Sequence, residues 1–284
     1  MIYLPILGAL ALATFSIVER TILKKRKIGI KTFLTASFLA VTLVMLPFIY
    51  FFFELNQQAF QSINILIFGI VIIFAILGNH FYLYSTKWEK ISNIEPARML
   101  ESLFVILFAI VFSFIFGEAL FERNPKVIIS ALIAGAALVF SHIKKHHLEF
   151  NKYFLAAILG SLFFSLELVT TRLILDYYTP FTFYFLRCSI IFLISFLIMK
   201  PKFSELNNKV RYEIVGIATL WVLYRVIVYY GYLNLGVIFT TLVIMLGPVL
   251  IYIFAWKFLK EKISWRNIIA AAIIVGAILY SILG

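Results

Sequence analysis

Five ionisable side chains stand inside long apolar runs of this 284-residue sequence: Arg98, Glu101, Glu167, Arg187 and Arg225. A charge at the centre of a membrane helix costs roughly 2.5–3.5 kcal/mol on insertion scales, so the five together cost on the order of 10 kcal/mol after discounting for depth. Pairing or a wet cavity has to offset that cost, so these side chains are expected to face inward. Arg98 and Glu101 are three residues apart and share one helix face, as a self-neutralising pair or as the charged rim of a solute path. Glu167 has no close partner in sequence. It reads as a proton-coupling carboxylate or as one half of a structural ion pair with Arg187 or Arg225. The Asn79-His80 pair beside tyrosines suits a polar solute, a proton relay or a hydrogen bond to a neighbouring helix. Tyr224 precedes Arg225, and Thr240-Thr241 offer small hydroxyls just before Gly247-Pro248.

The elements that position these groups follow from composition. At 63% hydrophobic, 13% charged and a mean hydropathy of +1.04, the chain does not read as a soluble domain. A span needs about 20 apolar residues. Ten segments qualify, at about 3–23, 32–53, 63–85, 96–117, 126–143, 153–174, 181–199, 212–231, 238–257 and 265–283. They are long and lack period-2 alternation, so an all-α integral membrane protein is expected. Ser92 with Glu95, followed by Pro96, reads as a capping box opening the fourth helix. Pro248 is expected to kink the ninth. Ala131/Gly135 and Ala272/Gly276 are small-xxx-small pairs suited to a packed seam, within the chain or in a homodimer. The basic cluster Lys24-Lys25-Arg26-Lys27 lies behind the first apolar run, so that run is expected to be a retained helix rather than a cleaved signal.

The net charge of +12 is distributed by topology. Odd-numbered connections hold nineteen Lys and Arg and even-numbered ones hold two, which marks the odd side as cytoplasmic and puts both termini outside. The basic excess then serves orientation and anionic lipid, not nucleic acid. Two offsets suggest one unit written twice. Residues 143 apart pair Glu118 with Glu261 and Arg123-Asn124 with Arg266-Asn267; residues 152 apart pair Gly8 with Gly160, Arg20 with Arg172, Phe33-Leu34 with Phe185-Leu186 and Ser37 with Ser189. Five spans per unit is an odd number, so the second copy must enter the membrane upside down. The expected division is 1–143, a basic linker at 144–152, and 153–284. His142 and His146 are spaced i, i+4, yet no carboxylate or Cys set accompanies them, and they read as part of an interfacial loop. Cys188 is the single cysteine, so neither a disulfide nor a Cys-based metal site is expected, and no cofactor is called for.

This layout resembles the EamA-type transporters of the drug/metabolite transporter superfamily. The residues that carry the resemblance are Leu246-Gly247-Pro248-Val249 with Lys260-Glu261, Gly117-Glu118 in the first half, and Phe185-Leu186-Arg187, similar to that family's F-x-x-R helix. Thr35 stands at the Arg187-equivalent position of the first half, and no proline there matches Pro248. The resemblance implies a solute path lined by helices 1, 3, 4, 6, 8 and 9. Its residues here would be Asn79, His80, Arg98, Glu101, Glu167, Tyr224, Arg225 and Thr240, with Arg187 beside them. Their charges have both signs, which favours a zwitterionic solute such as an amino acid. The family usually keeps both termini in the cytoplasm, whereas the charge count here places them outside.

The expected function is a secondary active transporter for a small polar metabolite in the plasma or inner membrane, working by alternating access, with proton coupling through Glu167. On that reading Glu167→Gln abolishes coupled transport without unfolding the protein. A carrier or flippase for a polar lipid head group is the alternative. An enzyme is not expected, because no HExxH, GxSxG, phosphate-binding loop or paired-aspartate motif is present. No repeated pore-loop signature points to a channel.

Overall fold

The computed structural model describes residues 3–25, 28–89, 91–117, 124–142, 150–250, 253 and 265–283. Among them the chain is helical throughout, apart from connecting turns and one isolated bridge between Leu55 and Tyr178. The principal helices are α1 (Tyr3–Lys25), α2 (Ile30–Met45), α3 (Ser62–Trp88), α4 (Ile91–Phe116), α5 (Pro125–His142), α6 (Lys152–Arg172), α7 (Pro180–Met199), α8 (Asn208–Asn234), α9 (Val237–Ile244) and α10 (Trp265–Leu283). Seven are long and apolar enough to cross a bilayer, α2 being extended to Phe52 by a 3-10 turn and one further helical turn. Tyr3–Ser16, Pro125–Ser141 and Val237–Leu250 are shorter apolar helices.

Helix starts are written locally. Asn151 caps α6 by accepting from the amides of Tyr153 and Phe154, both at 3.0 Å. Thr179 caps α7 with Pro180 in its first turn, and Asn207 caps α8 through the Val210 amide. Asn124 accepts from Lys126 ahead of α5. Each short polar side chain satisfies an amide that the first turn leaves without a partner. The capping-box reading of Ser92 is corrected. The α4 helix begins at Ile91, so Ser92 lies within it and Pro96 sits inside the helix rather than at its opening. An apolar run that must meet its backbone needs internally continues through a proline when neighbouring helices support it.

Pro248 acts as expected. The helix is interrupted at Met245 and resumes at 246, and the turn is bridged by the Met245 amide bonding to the Thr241 carbonyl at 3.1 Å. The α8–α9 connection is only Leu235-Gly236. Gly236 has φ of +83°, a left-handed conformation that costs glycine nothing.

The connections sort into two ends. At one, the Gly29 amide donates to Glu205, Lys87 donates to the Ile28 carbonyl, and the Lys202 amide donates to Thr32. Asn151 bonds Glu89 nearby, so connections 1, 3, 5 and 7 are gathered together. At the other end, the Asn56 amide bonds the Tyr177 carbonyl, the Thr179 amide bonds the Glu54 carbonyl, and Arg172 Nε donates to the Tyr232 carbonyl. Within the bundle α3 packs on α6 and α8 on α1, while α2 faces α7 and α5 faces α10. The outer surface is apolar, with Phe114 84% and Ile198 74% exposed, as a lipid-facing surface requires. Of the small-xxx-small residues, Ala131 is buried and Gly135 faces Leu103 and Met245, whereas Gly276 has open space beside it. Glu118, Arg123, His146, Lys260 and Glu261 lie outside the described residues.

Close approach between α8 and α9 depends on Gly231. A Cβ there would meet Thr240 Cγ2 at 2.6 Å and its Oγ1 at 2.8 Å. Gly231→Ala gains about 1 kcal/mol of helix propensity and incurs about 1–3 kcal/mol of overpacking. The variant is expected to melt below the native protein in detergent. Adding Thr240→Ala should reverse the loss, and an unchanged melt for the single variant would show that the seam is loose.

Candidate functional site

Helix periodicity brings the polar groups to one place. On α1, Leu12, Phe15, Ser16 and Glu19 follow the i, i+3, i+4, i+7 pattern of a single face. The same spacing aligns Arg98 with Glu101 on α4, Phe164 with Glu167 on α6, and Tyr184 with Arg187 on α7. Trp221, Tyr224 and Arg225 do so on α8. These faces, with Asn79 and Tyr82 of α3 and Phe38 of α2, enclose a central cavity of about 100 Å³.

Behind the cavity wall lies a buried ion cluster. Glu167 is fully buried. Arg187 Nε stands 3.2 Å from its Oε1, and the Arg225 guanidinium lies 3.4 Å from Oε2. The Tyr229 hydroxyl donates to Oε1 at 3.0 Å. One carboxylate from α6 therefore joins α7 and α8. Arg187 also lies over the Tyr184 ring and Arg225 over the Tyr224 ring, both at 5.7 Å. Cations held on aromatic faces are partly compensated for their lost water.

Arg98 is held separately. Its guanidinium donates to the Tyr82 hydroxyl at 2.6 Å and covers that ring at 4.4 Å. The Ser161 hydroxyl donates to the Ala97 carbonyl at 2.9 Å, which fixes the Arg98 segment against α6. Arg98 therefore reaches across to α3. Glu101 lines the cavity with no ion pair among the described residues, Arg98 and Arg225 being its charged neighbours. The apolar wall is aromatic. Phe15 lies 6.1 Å from Trp221 and 5.6 Å from Tyr224, and Phe38 lies 6.3 Å from Trp221, each measured between ring centroids.

Of the residues singled out in the sequence, Asn79, Arg98, Glu101, Arg187, Tyr224 and Arg225 line this cavity, with Glu167 directly behind them. Two are elsewhere. His80 is exposed and rests edge-on against Phe81, about 100° round α3 from buried Asn79. Asn79 itself donates to the Ala75 carbonyl at 2.8 Å. Thr240 is fully buried against Gly231, so it packs a helix seam away from the cavity lining. The residues that sequence reasoning missed are Glu19, Ser16, Tyr82, Tyr184 and the aromatic wall. Their signal was present as spacing: Glu19 lies one turn beyond Phe15. Its neighbour Arg20 and the basic run after it made that stretch look like a helix end.

Breaking the Glu167 cluster leaves two guanidiniums without their counter-charge. Glu167→Ala is therefore expected to cost about 3–5 kcal/mol, the range for removing one partner of a buried ion pair. That loss reads out as a lower melting temperature of the purified protein. Replacing Arg187 by Met in the same chain should recover part of it, and a native melt for Glu167→Ala would show that the cluster does not hold the helices.

Comparison with known proteins agrees with this architecture. No curated protein matches the chain. A solved structure described only as a crystal structure of a protein aligns with 99% of this chain and 95% of its own, at a TM-score of 0.70 and 18% identity. That likeness is one of fold. Residues 151–283 match the model of the EamA-like transporter family. This stretch, which contributes Glu167, Arg187 and Arg225, is thus similar to the EamA-like transporters.

Proposed function

We propose that the chain crosses the membrane ten times as two five-helix units of opposite orientation, 1–143 and 153–284, joined by the basic linker 144–152. On this reading it carries a small zwitterionic metabolite through the central cavity by alternating access, in the plasma or inner membrane. Two features of the fold support the inverted arrangement. Among the described residues, connections 1, 3, 5 and 7 gather at one end, and 2 and 6 meet at the other. The helix pairs α3–α6 and α8–α1 exchange under a two-fold relation between the units, while α2–α7 and α5–α10 map onto themselves.

The observation that carries the substrate class is the cavity lining. Guanidiniums of Arg98 and Arg225 and the carboxylate of Glu101 face one space, beside the Tyr224 ring. A zwitterion presents an anionic and a cationic end to such groups and meets a counter-charge at both. The arginines recognise a carboxylate through directed N–H donors. Glu101 and the aromatic face of Tyr224 receive an ammonium group. Asn79 supplies an amide at the edge, and Glu167 holds Arg187 and Arg225 in place. A volume of about 100 Å³ suits a small metabolite. Drug-sized ligands occupy pockets of about 300–1,000 Å³.

The test is the melting temperature of the detergent-purified protein against amino acids, polyamines, nucleosides, sugars and lipid head groups. A ligand that binds only the folded state stabilises it by about 2.7 kcal/mol at a hundredfold excess over its dissociation constant. Amino acids are expected to shift the melt, and Arg98→Ala is expected to abolish the shift. A shift confined to polyamines, sugars or nucleosides would overturn the zwitterion reading. One confined to head-group compounds would favour a lipid carrier.

A further inference from the structure

Beyond the solute cavity lies a second compartment that the proposed transport reading does not use. It is a pocket of about 20 Å³ between α4, α6, α8 and α9, and its polar lining is Glu101, Ser102, Tyr224, Tyr232 and Thr241. Glu101 and Tyr224 belong to both spaces, so they form the partition between them. Glu167, the carboxylate that sequence alone favoured for coupling, lines neither.

The sizes of the two compartments separate their occupants. A space of about 10–15 Å³ on this measure holds one water, provided that two to four polar groups bond it. The small pocket meets both conditions, with room for one water and no solute. The large cavity admits a metabolite. We propose that Glu101 is the proton-exchanging carboxylate of the transporter, and that a water held by Ser102, Thr241 and Tyr232 is its proton route, separate from the solute route. This inference rests on the transport reading above. In the step itself the Glu101 O–H bond breaks and its proton adds to the pocket water, which gives up one of its own protons to solvent water beyond the pocket, and the carboxylate remains. A proton from water on the cavity side later re-forms the acid.

The charged and titratable groups around Glu101 come from several helices. Arg98 shares α4, Glu167 faces it from α6, and Arg225, Tyr224 and Tyr232 face it from α8. Across the cavity stand Glu19 of α1, Tyr82 of α3, and Tyr184 with Arg187 of α7. Among the described residues, α5 and α9 bring no titratable side chain to either compartment.

The experiment uses the full chain in proteoliposomes with a radiolabelled amino-acid mixture. It measures exchange across the membrane and accumulation driven by an imposed pH gradient. The double variant Ser102→Ala with Thr241→Val removes two of the water's three partners while nearly keeping side-chain bulk. It is expected to exchange amino acids as the native protein does and to lose pH-driven accumulation. Glu101→Gln is expected to lose that accumulation as well. The proton-route inference is overturned if the double variant or Glu101→Gln accumulates solute like the native chain, or if the native chain exchanges amino acids without responding to pH. Absence of exchange by the native chain would instead sink the zwitterion reading, and this inference with it.

Discussion

A single carboxylate inside the bundle sets the terms for the rest of the structure. Glu167 is removed from water and sits within 3.4 Å of two guanidiniums, with a phenol donating to it. Attraction at such distances is weak in water and several-fold stronger where the effective dielectric constant is near 20. In the bundle interior, therefore, the positions of Arg187 and Arg225 are not independent choices. Any arrangement of α6, α7 and α8 that separates them from Glu167 leaves uncompensated charge in an apolar medium. The aromatic contacts of Tyr184 and Tyr224 beneath those cations extend the constraint outward to the cavity wall.

The two halves contribute differently to that cavity. The second half supplies the ion-pair cluster, and it is also the half that matches the EamA-like family. The first half supplies Arg98, Glu101, Asn79 and the α1 face that ends in Glu19. Thr35, fully buried, occupies the first-half position that corresponds to Arg187. The charge pattern therefore differs between the halves, and the cavity has a cationic side and a mixed side. On the proposed zwitterion reading, such asymmetry would give a bound dipolar solute one preferred direction.

Much of this was legible in the sequence because lipid enforces simple rules. A run of apolar residues has to be a helix, but its start was harder to read: Ser92, the one cap read from the sequence, lies inside its helix, while Asn151, Thr179 and Asn207 cap three others. Arg98, Glu101, Glu167, Arg187 and Arg225 were visible because burying a charge in hydrocarbon is expensive. What the sequence hid was direction around each helix. Asn79 and His80 are neighbours in the chain but 100° apart on the helix, so one is buried and the other exposed. Thr240 and Thr241 divide in the same way, the first against Gly231 and the second in the small pocket. The aromatic wall was hidden for another reason: the chain has 31 phenylalanines, and nothing local separates Phe15 and Phe38 from those that face lipid.

The meeting of connections 2 and 6 has a mechanical consequence. There the halves are joined by the Asn56–Tyr177 and Thr179–Glu54 backbone bonds, and by Thr182 and Thr179 reaching the chain at Glu54 and Phe52. These are neutral hydrogen bonds, each worth about 0.5–1.5 kcal/mol net. They lie at the end of the bundle, where water can replace them as they break. On the proposed alternating-access reading this seam would be the latch, since it opens by breaking a few weak bonds that water can replace. The interior ion cluster would be the hinge pin, since parting it leaves charge uncompensated in an apolar medium. Strong contacts lie at the centre and weak ones at the rim, a distribution that would let one end of the bundle part while its middle holds.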